Sequence, residues 1–501
     1  MGDARLLTDL VDARWRRWGS RPAIHDPAAG ELTYGELLAW SERISRVLEA
    51  WVADPGQRVA LCLPNSASFV AAWFGAARVG AVVAPLNPLY RARELADHLA
   101  DLEPAAVVTD AEHLPPIRHV VATPGAERAL GVEPALVELA SDRRVRLVRP
   151  GRGRGAPVPA EGSPPLLQQY TSGSTGRPKR VIRTHAALLA ELAALTEVFG
   201  VGEDDRFLGA APFSHVNGLV RTMLTAVSVG GCLYPVRAFH RRHVLDLLTA
   251  ERVTFFGGVP QMFAILARTP LRGSVDLSAL RVAFSSSAPL LVEDSRLFTE
   301  RYGVVIRQLY GSTETGTIAF NRGPDPERWR GSVGVPLPGV EVAVVGADGS
   351  PLPAGAEGEL AVRSPFGAAG YFGDPVATRE AFRGGWYLTG DLGTRDAEGR
   401  LTLTARKSLL INRGGFKVNP YEVEAVIRSH PRVSEAVVFG RPGPHGDEVV
   451  CCAVVAAGPC TAEEIVLHCR ERLAEFKVPS RVEFRPGLPK SATGKILRGQ
   501  V

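Results

Sequence analysis

The chain has 501 residues, 45% of them hydrophobic and 22% charged, with a formal net charge of +5. That length exceeds what one ordinary core serves, so two or more domains are expected, and the composition is that of a globular chain, which excludes disordered and fibrous classes. The surplus arginines Arg143, Arg144, Arg146, Arg149, Arg152 and Arg154 crowd one Gly/Pro-rich stretch without interleaved aromatics, so a solvated loop is expected there and no nucleic-acid partner.

Residues 4–51 read as helix, turn and helix, with Thr33 and Glu36 offering a capping box to the second. Val59–Leu63 and Ala81–Leu86 are short apolar strands, a helical pattern through Phe69, Trp73 and Ala77 lies between them, and Glu94–Leu102 is a further helix. Val107-Val108 begins a third strand. This alternation predicts a parallel sheet flanked by helices. Residues 115–165 are rich in Pro, Gly and Arg and are expected to be long loops.

The pattern resumes with a helix carrying Leu188, Leu192, Leu195 and Phe199, then apolar strands at Val253–Phe256, Val282–Phe284 and Val304–Ile306. From Val340 short strands and Gly-rich turns predict a small β-rich subdomain. Beyond Arg406-Lys407-Ser408, a helix capped by Asn419 with Pro420 at its first position, a second capped by Thr461 and Glu464, and strands at 435–439, 448–455 and 481–485 predict a compact α+β unit. The fold class expected is therefore α/β, a large N-terminal domain of parallel sheets plus a small β-rich subdomain, followed by a small α+β C-terminal domain. The six cysteines show no CxxC spacing, which argues against zinc and a disulfide framework. The start of the sequence has no apolar signal core and no apolar run is of membrane-spanning length, so a cytoplasmic location is expected.

The most informative stretch is Tyr170-Thr171-Ser172-Gly173-Ser174-Thr175-Gly176-Arg177-Pro178-Lys179. Glycines let main-chain N–H groups approach a ligand, hydroxyls add donors, and Lys179 adds a point charge suited to a phosphate. The apolar runs Leu166–Tyr170 and Val181-Ile182 clamp it on both sides, unlike a linker. A strand follows it, and GxxxxGK[ST] is absent, so it is not a Walker A loop.

The ordered set TSGSTGRPK (171–179), PFSHVNG (212–218), YGSTETG (310–316), YLTGD (387–391), the 405–418 segment and PKSATGK (489–495) resembles the adenylate-forming superfamily: acyl- and aryl-CoA synthetases above all, with stand-alone adenylation enzymes and luciferases. The resemblance runs from about residue 20 to the C-terminus. It implies an N-terminal adenylation domain over 1–405, a hinge at 406–408 and a mobile C-terminal lid domain over 409–501. It also implies two steps: a carboxylate attacks the α-phosphate of ATP with Mg²⁺, releasing pyrophosphate, and a thiol then takes the acyl group, most simply coenzyme A. A carrier-protein phosphopantetheine is the alternative acceptor. A luciferase-like oxidative enzyme and a non-catalytic nucleotide-binding regulator are the alternatives of other classes.

By this resemblance Thr171, Ser172, Gly173, Ser174, Thr175, Gly176 and Lys179 would hold the β- and γ-phosphates. Tyr310 would stack on adenine beside Gly311 and the Ser287, Ala288 and Pro289 wall, Thr313 would donate to the α-phosphate, and Glu314 would hold Mg²⁺. Asp391 would accept the ribose hydroxyls with Arg406 nearby, and Lys495 would reach the carboxylate and α-phosphate. His215 would gate an acyl pocket formed with Val216, Asn217, Gly218, Phe284 and Ser285, while Gly415 and Lys417 would serve the thiol step. Ser408 stands where the hinge usually has Asp or Lys, Ala405 replaces a common glycine, Arg180 follows the motif lysine where glycine is usual, and Ser286-Ser287-Ala288-Pro289 replaces a Gly-Gly pair.

Amino-acid-activating relatives carry an aspartate just after the position of His215, where this chain has Val216, so a buried ammonium would lack a partner. Val216, Leu219, Met223 and Phe284 suit a fatty or aryl acid, and Asn217 and Ser285 could hydrogen-bond a ring substituent. Arg221 would suit a second carboxylate if it faced the pocket, but it is expected to face outward.

Overall fold

The computed structural model describes residues 5–122, 130, 132–151, 155–160, 162–171, 179–271, 273–413, 416–443, 448–491 and 496–501. The chain divides into two compact units: Met1–Arg330 with Pro336–Glu341 and Arg363–Tyr387, and Gly331–Val335 with Val342–Val362 and Leu388–Val501.

The first unit is built on two sheets. One is seven-stranded: Val145–Arg149, Ala135–Leu139, Ala106–Asp110, Arg58–Cys62, Val82–Pro85, Pro165–Thr171 and Lys179–Thr184, in spatial order. Its five inner strands are parallel and its two outermost pairings antiparallel. The other repeats that plan: Gly30–Thr33, Pro22–Asp26, Cys232–Pro235, Arg206–Gly209, Phe255–Gly258, Val282–Ser285, Ile306–Ser312 and Gly316–Phe320 lie side by side, parallel in the middle with an antiparallel pairing at each end of this run. Strands such as Arg58–Cys62 and Phe255–Gly258 are buried along their whole length, as parallel strands covered on both faces must be.

Helices follow the sequence signals closely. Thr33 and Glu36 close the capping box of Tyr34–Leu48, and Ser66 caps Ala67–Arg78 by accepting from the Phe69 N–H. Trp15, Tyr34, Trp73 and Phe74 interlock along the first three helices, with Trp15 and Phe74 rings 4.7 Å apart.

Two expectations are corrected. The hairpin Pro22–Asp26/Gly30–Thr33 separates the first two helices, because the buried Ala23 and Ile24 draw Pro22–Asp26 into the sheet beside Cys232–Pro235, with Gly30–Thr33 as its antiparallel edge partner. Residues 115–165 are not merely long loops: they contain the helix Leu114–Ala122 and the strands Ala135–Leu139 and Val145–Arg149. The apolar side chains of Ala135-Leu136-Val137 and Leu139 extend the parallel core, and the arginines decorate the returning strand. The tract expected to be a solvated loop is thus partly a hairpin, with Arg143 donating to Glu36 at 2.8 Å and Arg149 to Glu133 at 3.3 Å.

The second unit contains most of a five-stranded sheet that includes Glu357–Arg363, Trp386–Arg395 and Leu401–Arg406. It also contains a three-stranded sheet of Val433–Pro442, Glu448–Ala456 and Arg481–Phe484, with helices Pro420–Arg428 and Ala462–Arg470. Both predicted helix starts hold: Asn419 accepts from the Tyr421 N–H, and Thr461 forms its capping box with Glu464. Val423, Ile427, Val438, Cys452, Ile465 and Cys469 form the core of this α+β part. All six cysteines are unpaired thiols. Among the described residues no helix is long and apolar enough to cross a membrane.

Candidate nucleotide and acyl site

Two motifs far apart in sequence occupy equivalent places in the two sheets. Thr171 and Lys179 are the last paired residues of one antiparallel pair of edge strands. Ser312 and Gly316 close the other, leaving Thr313, Glu314 and Thr315 as its tip. Ser312 Oγ accepts from the Thr315 N–H at 3.1 Å and fixes that tip. Gly316 has φ +71°, and a Cβ there would crowd a buried carboxylate, so a glycine is required on both counts. Ser172, Gly173, Ser174, Thr175 and Gly176 lie outside the described residues.

A residue the sequence reading did not single out connects the two hairpins. The Tyr371 hydroxyl donates to Glu314 Oε1 at 2.9 Å, and Lys179 Nζ lies 4.6 Å from the centroid of the same ring. The Ala368 N–H donates to the Glu314 carbonyl at 2.8 Å, so backbone and side chain of Glu314 are both held. Tyr387 packs behind, its hydroxyl 3.4 Å from that of Tyr371; burial, reinforced by the Glu314 carboxylate, pushes its phenol far above the ordinary range. Glu314 is 8% exposed, and a carboxylate held by these tyrosine hydroxyls keeps lone pairs for a hard cation. Tyr310 is 7% exposed and pairs with Ala319 in the same hairpin as Thr313 and Glu314. Arg180 turns aside: its guanidinium bonds the Asp101 carbonyl at 3.1 Å and stacks 5.0 Å from the Phe372 centroid.

The segment expected to line an acyl pocket leads into a π-helix, Asn217–Leu224, entered from Pro212 through His215. π-Helical turns are costly and concentrate at functional sites. Gly218 is required because a Cβ would overlap the Ala211 and Pro212 carbonyls. Asn65, also missed from sequence, anchors the entry: its amide donates to the Gly209 and Ala211 carbonyls at 2.9 and 2.8 Å and accepts from the Phe213 N–H at 2.8 Å. The Pro-Asn-Ser run after a buried strand was its only sequence signal.

His215 and Val216 are half-buried, and desolvation pushes the His215 imidazole down to about 4, so it is neutral at physiological pH. Asn217 donates to the Gly258 carbonyl at 3.2 Å, and Ser285 is the register partner of Gly258. Asn217 Oδ1 and Ser285 Oγ are buried without a partner among the described residues. Phe284 goes elsewhere: it packs in an aromatic cluster with Phe199, Phe255 and Phe320, stacked on Phe199 at 5.4 Å. Alternation along the strand separates it from Ser285. Ser287, Ala288 and Pro289 are exposed, and Ser287 has φ +77°.

Arg221 does not face outward as expected. It is 1% exposed, donating through Nε to Thr317 Oγ1 and through Nη1 to Ser286 Oγ, each at 2.9 Å. The interior offers it a counter-charge, Glu191, which is fully buried and also pairs with Arg183. Nothing local in the sequence announces a carboxylate on a neighbouring helix.

In the second unit Asp391 and Arg406 are register partners, and Arg406 Nη1 donates to Asp391 Oδ1 at 2.6 Å. Ser408 lies in a short 3₁₀ turn after Arg406, and Lys417 is exposed on the strand Phe416–Val418. Gly415 and Lys495 lie outside the described residues.

Parallel sheets, paired edge hairpins and an acidic tip held next to a lysine define an adenylate-forming enzyme class, and comparison with known proteins agrees. The family profile described as AMP-binding enzyme matches residues 11–372, and that of the AMP-binding enzyme C-terminal domain matches 422–495. A feruloyl-CoA synthase from Streptomyces sp is 35% identical over 474 residues, covering 94% of this chain and 93% of its own. A long-chain-fatty-acid–CoA ligase of Mycobacterium tuberculosis is 33% identical over 473 residues, covering 93% and 92%. The crystal structure of ATP-bound MatB from Rhodopseudomonas palustris superposes with a TM-score of 0.86 at 29% identity, covering 98% of each chain. The chain belongs to the AMP-binding enzyme family, within the adenylate-forming superfamily and alongside the acyl-CoA synthetases. It is an AMP-forming acid–thiol ligase, activating a carboxylic acid with ATP and forming a CoA thioester.

Proposed function

We propose that the acid is aryl, carrying a hydrogen-bonding substituent, and that activation proceeds at the paired hairpin tips. The observation that carries this reading is the convergence of Lys179 and Glu314 on Tyr371, which gathers a phosphate-type cation and a metal-type carboxylate from separate sheets. The buried, unpartnered Asn217 Oδ1 and Ser285 Oγ favour an aryl acid with a polar substituent over a plain fatty acid, since a substrate group could satisfy them. The related feruloyl-CoA synthase carries an aryl acid in its name.

In this reading Thr171 and the 172–176 loop with Lys179 hold the outer phosphates, while Tyr310, Gly311 and the 287–289 wall receive the adenine. Thr313 donates to the α-phosphate, and Asp391 with Arg406 serves the ribose. Glu314 is the residue that would hold Mg²⁺, a cation that neutralises phosphate charge when bound. His215, neutral by desolvation, borders the acyl entry without adding a charge beside the incoming carboxylate. Lys495 stabilises the charge that concentrates during attack, Gly415 and Lys417 serve thiol transfer, and Ser408 lies in the hinge at 406–408 between an adenylation domain (1–405) and a lid (409–501). The location is cytoplasmic and the acceptor is free coenzyme A, not a carrier protein.

The test is pyrophosphate release from purified protein over a panel of hydroxylated aryl, plain aryl and fatty acids, with and without Mg²⁺, with CoA or a carrier-protein pantetheine. Hydroxylated aryl acids should lead. Equal rates with long-chain fatty acids would defeat the substrate assignment. Lys495→Ala should lose adenylate formation while keeping thiolysis of supplied acyl-adenylate, and equal loss of both steps would remove Lys495 from its role.

A further inference from the structure

A buried chain of polar side chains runs beneath the hairpin tips, and its charges do not balance. Arg183 donates through Nε to the Phe366 carbonyl at 2.8 Å and pairs with Glu191 Oε2. Glu191 Oε1 accepts from the Thr317 N–H at 2.8 Å and from its hydroxyl at 2.7 Å. Thr317 Oγ1 in turn accepts from Arg221, which reaches Ser286 with its other arm. The Ser286 N–H donates to the Gly258 carbonyl at 3.1 Å, the same oxygen that Asn217 bonds. One path thus joins the strand that begins at Lys179, the π-helix, the Ser286 segment, and the hairpin carrying Tyr310, Thr313 and Glu314.

Arg183, Glu191 and Arg221 are all at most 1% exposed. Two guanidiniums face one carboxylate, and desolvation lowers Arg221 to about 10 against the opposing pull of Glu191. Arg221 Nη2 has no hydrogen-bond partner among the described residues, and it lies so close to Gly311 that a Cβ at that position would overlap it. A surplus buried cation with an unspent N–H opposes folding. Stability would be served better without it, since the Arg183–Glu191 pair is neutral on its own and keeps both Thr317 donors. Groups that work against stability in this way concentrate at functional sites.

We propose that Arg221 is a positioning residue for acid activation: it fixes Gly311 and Thr317 at the base of the Thr313–Glu314 tip and places its surplus positive charge behind the strand where the nucleotide's α-phosphate is received. The inference rests on the reading of the Tyr310–Glu314 turn as the nucleotide-binding turn. In this proposal the anion that balances the charge is the nucleotide phosphate, because Nη2 lies against Gly311, two residues before the Thr313 assigned to the α-phosphate.

The experiment compares wild type, Arg221→Met and Arg221→Lys in acid-dependent exchange of pyrophosphate into ATP, and in the rise of the unfolding midpoint on saturation with Mg·ATP. Arg221→Met keeps the volume and leaves a neutral pair, so its ligand-free midpoint should equal or exceed that of wild type. Its kcat should fall roughly tenfold or more with acid KM little changed, as expected when an interaction felt mainly in the transition state is lost. Its ATP-induced midpoint rise should shrink, and Arg221→Lys should recover part of both losses. Wild-type kcat in Arg221→Met overturns the inference. So does a fall in the ligand-free midpoint with an undiminished ATP response, which would mark a structural role. Loss confined to dicarboxylic acids also overturns it, since the charge would then serve the acid and not the nucleotide. Absence of exchange in wild type would instead defeat the nucleotide-turn reading, while the midpoint response to ATP would still report on Arg221.

Discussion

The Tyr371 hydroxyl donates to Glu314 Oε1 at 2.9 Å while its ring lies under the Lys179 ammonium at 4.6 Å. One side chain thus orients the carboxylate that would hold a metal and flanks the cation that would hold a phosphate. Hydroxyl and ring can be separated by mutation. Tyr371→Phe keeps the ring for Lys179 and removes the donor to Glu314, a hydrogen bond to a charged group worth about 1.5–3 kcal/mol. The expected outcome is a raised Mg²⁺ requirement for pyrophosphate release, with Tyr371→Leu raising the KM for ATP further. A Mg²⁺ titration that superposes for wild type and Tyr371→Phe would remove the hydroxyl from this role.

Asn65 holds three backbone groups of the 209–213 turn with one amide. Asn65→Ala strips the Ala211 carbonyl and the Phe213 N–H of the partner it supplies, while the Gly209 carbonyl keeps the Val236 N–H at 3.0 Å, so a loss of about 2 kcal/mol is expected in urea unfolding. Asn65→Asp should be no better, because a carboxylate cannot donate to the two carbonyls. Since that turn leads directly into His215 and the π-helix, the KM for the acid should rise in both variants. A loss under about 0.5 kcal/mol, the level of an ordinary surface substitution, would contradict the anchoring role.

The sequence made legible what depends on local pattern. The capping boxes at Thr33 and Thr461, the strand–helix alternation and the Asn419-Pro420 helix start all appear in the structure because each is decided within a few residues. The family was equally readable, since its ordered motifs are local in sequence, and the AMP-binding enzyme profile matches residues 11–372. What was not readable depends on partners from elsewhere in the chain. Arg221 turns inward only because Glu191 waits on another helix, Tyr371 matters only because two hairpins meet at it, and Phe284 joins Phe199 and Phe320 because of which sheet face it occupies. The arginine tract was misjudged for the same reason: Ala135–Leu139 found a parallel neighbour in Ala106–Asp110 and drew Val145–Arg149 into the sheet as its antiparallel partner.

Ser287 takes a left-handed conformation, φ +77°, where a side chain is strained by about 1 kcal/mol or more. Ser287→Gly should relieve that strain, raising the unfolding free energy by up to about 1 kcal/mol after the entropy cost of glycine is counted. The side chain is exposed, so lost packing does not offset the gain. Destabilisation of this variant would mean that the Ser287 hydroxyl makes a contact worth more than the strain.

His185 is 4% exposed, accepts a hydrogen bond from the Leu7 N–H at Nδ1 at 3.0 Å, and is lowered by desolvation from 6.5 to about 4. A folded-state value below the unfolded one means that the unfolded chain binds the proton first as pH falls. Stability from neutral His185 is therefore fully present above pH 6.5 and is lost progressively between about pH 6.5 and pH 4. By pH 5 the loss reaches about 2 kcal/mol. His215 is lowered to about 4 by the same cause, so its loss falls in the same window, lessened by its partial exposure. In His185→Gln an amide oxygen can still accept from Leu7 without titrating. Urea unfolding at pH 7 and pH 5 should accordingly show a drop in wild type that is smaller by about 2 kcal/mol in His185→Gln, and equal drops in the two proteins would show that His185 stays unprotonated in the unfolded chain or protonated in the folded one.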